Sequence, residues 1–222
     1  MPKSISVVML GATGAVGNHA ALALAQMPGL QGLTLLGRRP AANVVGKTVK
    51  QATIDIFAPA SYTPLMAGHD AAICTLGVGQ PSKMDKAEFV RTDRDAVLSF
   101  ATHCKAAGVR HFELLSSVGA SASSSSFYLR TKGELNDGLK ALKFERLSLF
   151  QPSMIVTPQN RYGATQAVML FAMPLLDPLL LGSMNKFRSI DVQKLGEAMA
   201  NNLLLEKTGV EALHWRDIMA LA

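Results

Sequence analysis

Short apolar runs alternate with longer segments of helical period along most of this chain. The runs read SISVVML, LTLLG, KQATIDIF, DAAICTLG, VRHFELLSS and FERLSLFQPSMIV, and the helical segments include GNHAALALAQM, KAEFVRTDRDAVLSFATHCKAAG and YLRTKGELNDGLKAL. Strands that are separated by helices pair in parallel, because a parallel return needs a crossover. The runs are almost continuously apolar, which is typical of a sheet that is covered on both faces. We therefore predict an α/β fold, a doubly wound parallel sheet with helices on both faces.

The pattern changes after Val156, where the alternation of strands and helices stops. A helical apolar stripe follows within residues 192–203, but nothing there indicates an independent domain. We expect one domain, with a core over residues 1–157 and a small helical appendage over residues 158–222. The appendage is expected to close over the carboxyl edge of the sheet, on the substrate side.

The most apolar part of this appendage, residues 168–181, is interrupted by Pro174, Asp177 and Pro178. It cannot supply the ~20 uninterrupted apolar residues of a membrane-spanning helix. We expect it to form a covering lid or a subunit interface, and hence a possible homodimer. Six of its side chains could line a substrate pocket, or equally belong to the core or to a dimer contact. They are Val168, Met169, Leu170, Phe171, Met173 and Leu176.

The composition indicates a globular protein of the cytoplasm. The chain has 222 residues, of which 49% are hydrophobic and 17% are charged, so it is richer in apolar side chains than disordered chains are. The first apolar run, residues 5–10, is too short for the core of a signal peptide and leads into glycine. Cys74 and Cys104 have no Cys-x-x-Cys spacing and are expected to be reduced. The five histidines show no metal-binding spacing, so no metal is expected.

The net charge of +6 is concentrated at one end of the chain. Residues 1–54 hold five basic and no acidic residues, whereas the remainder holds 17 basic and 16 acidic ones. A nucleic-acid-binding protein would instead need a basic face or stripe. We therefore expect no nucleic-acid partner, and we look for a local reason for the basic end.

A glycine-rich turn, GATGAVG, follows the first apolar run directly and leads into a helical segment. A strand, a tight turn and a helix N-terminus in this order can hold a pyrophosphate, because glycine lets the backbone approach it closely. Asn18 occupies the position where a phosphate-binding G-x-x-x-x-G-K-[ST] loop needs lysine, so that loop is excluded. The alternative is that the glycines only allow close packing of helix and strand. The predicted dinucleotide contacts are Gly11, Ala12, Thr13, Gly14, Ala15, Val16 and Gly17.

The second apolar run ends at Arg38 and Arg39, and the first acidic residue of the chain is Asp55. Proteins that bind NAD usually place a carboxylate at the end of the second strand, where it accepts hydrogen bonds from the ribose hydroxyls. A guanidinium pair would instead bind the 2′-phosphate of NADP through charge-assisted hydrogen bonds. We therefore predict NADP(H) as the cofactor. The alternative is that both arginines are merely solvated in a surface loop.

Four motifs occur in a familiar order, namely GATGAVG, LLGRR, IDIF and YLRTK. With them the chain resembles the atypical short-chain dehydrogenase/reductases, which have a Rossmann-like fold, and it is closest to the branch of the human Tat-interacting protein. The resemblance covers nearly the whole chain. It implies an NADP(H)-dependent oxidoreductase that transfers a hydride to or from a small carbonyl or alcohol substrate.

Tyr128 and Lys132 are four residues apart in a helical segment, so their side chains share one helix face. A phenol titrates near ~10, and an adjacent ammonium lowers that value by stabilising the phenolate. By the resemblance, Tyr128 donates a proton to the substrate oxygen and Lys132 also holds the nicotinamide ribose. Ser117 positions the carbonyl, and Ser116 is the competing assignment for that role.

The resemblance also implies further cofactor contacts. Asp55 and Ile56 would flank the adenine, and Ser116 would lie along the cofactor. The residues that would line the cofactor after the fourth strand or border the nicotinamide are Leu76, Gly77, Val78, Gln151, Pro152, Ser153, Met154 and Ile155. The apolar members of this set are equally expected in a core. Arg161 could reach a cofactor phosphate or an anionic substrate, or it could be a surface charge.

Two features depart from the family pattern. The asparagine of the family's proton relay is not apparent in FVRTDRDAVL, and the fourth strand is followed by TLGVG instead of Asn-Asn-Ala-Gly. Some atypical members act in redox sensing or regulation, so the alternative function is a catalytically weak NADP-binding regulator that acts through a protein partner. Residues 121–126, a run of small polar residues, are interpreted as a mobile active-site loop rather than a linker.

Overall fold

The computed structural model describes residues 4–78, 84–157 and 177–222. Seven parallel strands form the main sheet in the order β3-β2-β1-β4-β5-β6-β9. Their bounds are Ile5–Leu10 (β1), Leu30–Gly37 (β2), Val49–Thr53 (β3), Ala71–Cys74 (β4), His111–Leu115 (β5), Arg146–Phe150 (β6) and Gly209–Leu213 (β9). The strand order changes direction between β1 and β4. In open α/β sheets the ligand binds at that point, outside the carboxyl ends of the strands.

Helices cover both faces of the sheet. They are Ala15–Ala25 (α1), Lys86–Val90 (α2), Val97–Ala106 (α3), Phe127–Ala141 (α4), Val192–Asn202 (α5) and Trp215–Leu221 (α6). A π-helical turn, Arg91–Ala96, joins α2 to α3. One apolar core contains side chains of α1 and α5, and a second core on the opposite face contains side chains of α3 and α4. The predicted doubly wound fold is confirmed.

The C-terminal part differs from the sequence-based expectation. Strands and helices do alternate there, because β8 (Ile190–Asp191), α5, β9 and α6 follow one another. β8 pairs with β7 (Ile155–Val156) in a separate two-stranded sheet, and β9 extends the main sheet beside β6. The expectation of no alternation was wrong because β9 is an edge strand with mainly exposed side chains, of which only Leu213 is buried. An edge strand of this kind produces no apolar run.

Parts of the predicted appendage fall outside the described residues. The pocket candidates between Val168 and Leu176, together with Arg161, belong to that group. In the part of the chain that is described, no helix combines the length and the apolar character needed to cross a membrane. Cys74 and Cys104 are free and buried. Burial raises the pKa of Cys74 to about 12 and also raises the pKa of Cys104.

A buried polar network ties β9 and α5 to the middle of the sheet. The Arg146 guanidinium donates to Glu211 Oε1 at 2.6 Å and to Asn202 Oδ1 at 2.6 Å. The Asn202 amide donates to Glu113 Oε1 at 2.7 Å and to Ser148 Oγ at 3.0 Å. Burial raises the pKa of Glu113 well above its usual range, against the opposing effects of Asn202 and Arg146. Its second oxygen, Oε2, has no hydrogen-bond partner among the described residues.

We predict that Glu113→Gln makes the stability of the protein less dependent on pH. The pKa of Glu113 is higher in the folded chain, so its contribution is complete below the unfolded value of about 4.3 and is lost as the pH rises through the folded pKa. Glutamine keeps an acceptor for Asn202 and cannot ionise. As the pH rises from the unfolded towards the folded pKa of Glu113, the parent therefore loses stability that the variant keeps.

Urea unfolding at several pH values measures this difference. Glu206→Gln is the matched control, because Glu206 is exposed. If the parent and the Glu113→Gln protein lose stability in parallel as the pH rises, the carboxyl group does not titrate as its burial requires.

Candidate active site

The predicted glycine turn lies at the carboxyl end of β1, against the first residue after β4. Gly11 has a φ of +101°, and a Cβ built on it would lie 2.6 Å from Thr75 Oγ1. A Cβ at Gly17 would overlap the carbonyl oxygen of Gly11. The Thr75 hydroxyl donates to that oxygen at 3.1 Å and so braces the turn. Thr75 was not among the predicted residues, although its position directly after the fourth strand could have identified it.

The helix N-terminus behind this turn fits an anionic ligand. Gly14 is the N-cap of α1 and provides no side chain, and the first turn of α1 contains no acidic residue. The amides of that turn are therefore left for a ligand, and the helix dipole favours a negative charge there. Ala12 and Val16 are buried in the core, whereas Thr13 and Ala15 are partly exposed beside the turn. The turn therefore fits the pyrophosphate of a dinucleotide.

A cleft of about 390 Å³ brings the glycine turn and the arginine pair together. Its lining residues are Leu10, Gly11, Thr13, Gly37, Arg38, Arg39, Ile56 and Leu76. Arg38 and Arg39 are exposed, and neither forms an ion pair with a residue in the described part of the chain. Both guanidinium groups are thus available to an anion. Asp55 is exposed and accepts the Phe57 amide at 2.9 Å, outside this lining.

The loop that follows the arginine pair is held by amide side chains. The side chain of Gln51 on β3 accepts from the Ala41 amide at 2.8 Å and donates to the Val44 carbonyl at 2.9 Å. The amides of Asn43 and Asn18 exchange hydrogen bonds of 2.8 Å, which connects the loop to α1. These contacts fix the loop relative to the glycine turn. Sequence reasoning missed them, because polar side chains in a loop carry no periodicity.

Tyr128 and Lys132 lie on the first turns of α4, as predicted. The helix begins after Ser126, whose hydroxyl accepts from the Leu129 amide at 3.5 Å. The ring of Tyr128 packs against Phe89, with 5.9 Å between the ring centroids, and the residue is partly exposed. Lys132 is only 4% exposed, so its ammonium group lies inside the protein. A buried charge of this kind needs a partner.

The partner of Lys132 is Asp93, in the π-helical turn. Lys132 Nζ lies 2.8 Å from Asp93 Oδ1, and Asp93 Oδ2 accepts the Val78 amide at 2.8 Å. Burial alone would lower the pKa of Lys132, but the Asp93 carboxylate and the Tyr128 phenol raise it above its ordinary value. Sequence reasoning missed Asp93. The available signal was a carboxylate four residues after buried Phe89 and four before buried Val97, within one helical face.

The residues that follow β4, here called the exit of β4, are Leu76, Gly77 and Val78. They connect the cleft to this ion pair. Leu76 lines the cleft, and a Cβ built on Gly77, the next residue, would lie 3.2 Å from Asp93 Oδ1 and 3.7 Å from Lys132 Nζ. Val78 is hydrogen-bonded to Asp93 through its amide. The three predicted contacts at this strand end therefore lie together, between the proposed nucleotide contacts and α4.

The two competing serines after β5 have different surroundings. Ser116 is 6% exposed, and its hydroxyl donates to Asn136 Oδ1 of α4 at 2.9 Å. Ser117 is partly exposed, and its hydroxyl makes a long hydrogen bond of 3.4 Å to the Val118 carbonyl. The Ser116 hydroxyl therefore anchors the strand to α4, whereas the Ser117 hydroxyl is more accessible. Asn136 was not identified from the sequence.

The serine-rich loop lies directly on the helix that carries Tyr128. The Ser121 amide donates to the Leu129 carbonyl at 3.1 Å, and the Ser124 amide donates to the Ser121 carbonyl at 3.0 Å. A Cβ on Gly133 would overlap the backbone of Ser121 and Ala122. The side chains of the loop are mostly exposed, but its backbone is hydrogen-bonded to α4.

Residues 151–155 connect this region to the C-terminal segment through their backbone. The backbone amide of Gln151 donates to the Leu213 carbonyl at 2.8 Å, and the Pro152 carbonyl accepts from the Val118 amide at 3.0 Å. Met154 accepts from the Ile190 amide at 2.9 Å, and Ile155 lies in β7. These residues and Ser153 follow β6 at the carboxyl edge of the sheet, where they were predicted to border the nicotinamide.

Comparison with known proteins identifies the family. A family described as NAD(P)H-binding matches residues 11–147, from the glycine turn to β6. The chain belongs to this family. Protein HTATIP2 of Rattus norvegicus is 35% identical over 221 residues, which cover 97% of this chain and 88% of that protein. Protein fmp52, mitochondrial, of Emericella nidulans is 30% identical over 174 residues, or 75% of this chain and 73% of that protein.

Solved structures with the same fold include a protein in complex with NAD and an oxidoreductase. MoeE5 in complex with UDP-glucuronic acid and NAD has a TM-score of 0.71 at 15% identity, covering 94% of this chain and 75% of that one. The oxidoreductase ylbE from Lactococcus lactis has a TM-score of 0.68 at 16% identity, covering 98% and 96%. The resemblance to the atypical short-chain dehydrogenase/reductases, in the branch of the Tat-interacting protein, is confirmed. The protein is an NAD(P)-binding member with an oxidoreductase-type Rossmann fold.

We predict that Gly133→Ala destabilises the protein by about 1 to 3 kcal/mol, because the added methyl group must displace the backbone of the serine-rich loop. Gly138→Ala on the same helix is the matched control. The atoms nearest to its Cβ would belong to the flexible side chain of Leu98, at 3.1 Å and beyond, and alanine favours the helix by up to ~1 kcal/mol. Thermal and urea unfolding of both variants measure the difference, and equal effects would show that the loop does not rest on Gly133.

Proposed function

We propose that this chain is an NADP(H)-dependent oxidoreductase that transfers a hydride to or from a small carbonyl or alcohol substrate. The observation that carries the proposal is the position of the residues that follow β4. There Leu76 lines the cleft of the glycine turn and the arginines, and Gly77 adjoins the ammonium of Lys132. A nucleotide that follows this strand end from the glycine turn would reach Lys132 and Tyr128. Cofactor and catalytic pair would then meet at the carboxyl edge of the sheet.

The proposed choice of NADP(H) rests on charge. Arg38 and Arg39 line the cleft without an ion-pair partner in the described part of the chain. A 2′-phosphate would gain charge-assisted hydrogen bonds from them, whereas the described residues that line the cleft include no carboxylate to accept bonds from ribose hydroxyls. The loop contacts of Gln51 and Asn43 hold the segment after the arginines in place, which lowers the entropy cost of binding.

The proposed roles of the side chains follow from their chemistry. The cofactor, when bound, supplies or accepts the hydride. In the reducing direction Tyr128 donates its phenolic proton to the substrate oxygen as the carbonyl carbon is reduced. Lys132 stabilises the phenolate that Tyr128 becomes, and Ser117 donates a hydrogen bond to the same substrate oxygen. In the oxidising direction the phenolate accepts the proton of the alcohol, so the same groups serve both directions.

We predict that the protein binds NADPH at least tenfold more tightly than NADH, a difference of ~1.4 kcal/mol. Arg38→Glu should reverse the preference, because a carboxylate repels the 2′-phosphate and accepts hydrogen bonds from the ribose of NADH. Calorimetric titration with each nucleotide measures both preferences.

Arg110→Glu is the control for this experiment. Arg110 precedes β5 at the opposite edge of the sheet, and its exposed ion pair with Asp70 contributes little stability. The Arg110→Glu substitution changes the net charge by the same amount as Arg38→Glu does, and it should leave the nucleotide preference unchanged. Equal affinities of the parent protein for NADPH and NADH would refute the proposed cofactor choice.

We predict that Tyr128→Phe lowers turnover by at least about 100-fold while NADPH affinity stays within a few-fold, because it removes one proton donor and keeps the ring. Lys132→Met should reduce both turnover and affinity, since Lys132 has two proposed roles. Turnover is followed by NADPH absorbance in a screen of small carbonyl compounds, and affinity by calorimetry.

Tyr62→Phe is the matched control, because its hydroxyl is bonded to Ser99 of α3 at 3.2 Å and has no role in the proposed chemistry. It should keep parental turnover. A Tyr128→Phe protein that reduces the substrate at the parental rate would rule out the catalytic assignment. The alternative of an NADP-binding regulator would then be the better account.

A further inference from the structure

The π-helical turn between α2 and α3 places one of its carboxylates inside the protein. Such turns are rare within helices and frequent at functional sites. Arg94 and Asp95 of this turn stay near the surface, where Arg94 pairs with Asp95 at 2.8 Å and with Glu134 of α4 at 2.6 Å. Asp93 points the other way and is only 1% exposed. The turn therefore places Arg94 and Asp95 near the surface and Asp93 in the interior.

The interior position is energetically demanding. Moving a carboxylate and an ammonium out of water costs several kcal/mol per ion, and only good geometry offsets it. Both oxygens of Asp93 are used, one by Lys132 Nζ and the other by the Val78 amide, each at 2.8 Å. A pair of apolar side chains in these positions would avoid the cost. The pair is therefore better explained by a need for a fixed ammonium than by stability.

We propose that Asp93 is a positioning residue that holds the Lys132 ammonium beside Gly77 and keeps it charged. Through its second oxygen it also fixes the backbone of Val78, so one carboxylate aligns the exit of β4 with α4. Asp93 itself touches neither cofactor nor substrate in this assignment. The inference rests on the proposed function only for its effect on turnover, since the charge of Lys132 is a property of the protein alone.

Among the described residues, three titratable groups face Lys132, each from a different element. Asp93 faces it from the π-helical turn, Tyr128 from α4 itself, and Cys74 from the end of β4. Burial lowers the pKa of Lys132, whereas these three groups raise it, Asp93 most strongly. Without the Asp93 carboxylate, the groups in the described part of the chain that still oppose burial are Tyr128 and Cys74. The ammonium would then lose its proton more readily.

A purely structural role makes a different prediction. If Asp93 served only to accept the Val78 amide, its replacement would destabilise the exit of β4 without altering the charge of Lys132. Asparagine separates these roles, because its single carbonyl oxygen can accept from Val78 or from Lys132 but carries no charge. The charge of Lys132 is therefore the quantity to measure.

The experiment titrates Lys132 by NMR in the protein without nucleotide. Lysine side chains are labelled with ¹⁵N and ¹³C, and the Lys132 signal is assigned by its absence in Lys132→Met. In the parent we expect Lys132 to titrate above the ordinary pKa of a lysine, and in Asp93→Asn we expect its pKa to fall by at least about one unit. Asp95→Asn, which changes the exposed carboxylate of the same turn, should leave it unchanged. An unaltered titration of Lys132 in Asp93→Asn would overturn the proposal.

A double variant covers the case in which Asp93→Asn does not fold. If Asp93 serves the ammonium, Asp93→Asn in the Lys132→Met background should cost much less stability than in the parent. Folding of the double variant when the single one fails therefore supports the proposal. Equal losses in both backgrounds, or failure of both proteins to fold, would assign Asp93 to the fold alone.

The kinetic consequence separates this inference from the proposed function. If turnover is found, Asp93→Asn should shift its pH profile, whereas a merely structural residue would lower the rate at every pH. If no turnover is found, the proposed function fails, yet the NMR titration still decides the role of Asp93.

Discussion

Four consecutive residues after β4 determine the geometry of the whole site. Thr75 braces the glycine turn, Leu76 lines the cleft, Gly77 adjoins Lys132, and Val78 binds Asp93 through its amide. The turn and the strand end approach each other so closely that a methyl group at Gly11 would meet Thr75. Because β4 pairs directly with β1, any movement of this strand end would displace the nucleotide cleft and the ion pair together.

Charge is arranged differently at the two ends of the site. Arg38 and Arg39 are exposed and without an ion pair in the described part of the chain, so an arriving anion meets them in water. Lys132 is buried and already neutralised by Asp93. The first arrangement suits recognition, because the attraction extends into solvent. The second suits chemistry, because a charge fixed in a dry site needs no reorganisation when a proton moves.

Much of the fold was predictable from local sequence, and less of the site was. The central strands are continuous apolar runs, and α4 has a clear helical period, so both follow from patterns within ten or so residues. β9 escaped prediction because it is an exposed edge strand whose one polar side chain, Glu211, pairs with Arg146 across 65 residues of sequence. Asp93 and Asn136 escaped because each acts through a partner on another element. Such pairings leave no periodic signal in the chain.

The long separation between β6 and β9 has a consequence for the order in which the molecule is assembled. Closing a loop of that length has an entropy cost, so the pairing of the last strand is expected late in folding. Until then the outer edge of β6 offers unpaired backbone groups to solvent, and Arg146 and Glu113 remain hydrated. The arrival of β9 and α5 pairs the open edge of β6 and buries the polar side chains beside it. The last part of the chain thereby completes and covers the sheet. The half of the sheet beside the nucleotide cleft, β1 to β4, can form before it.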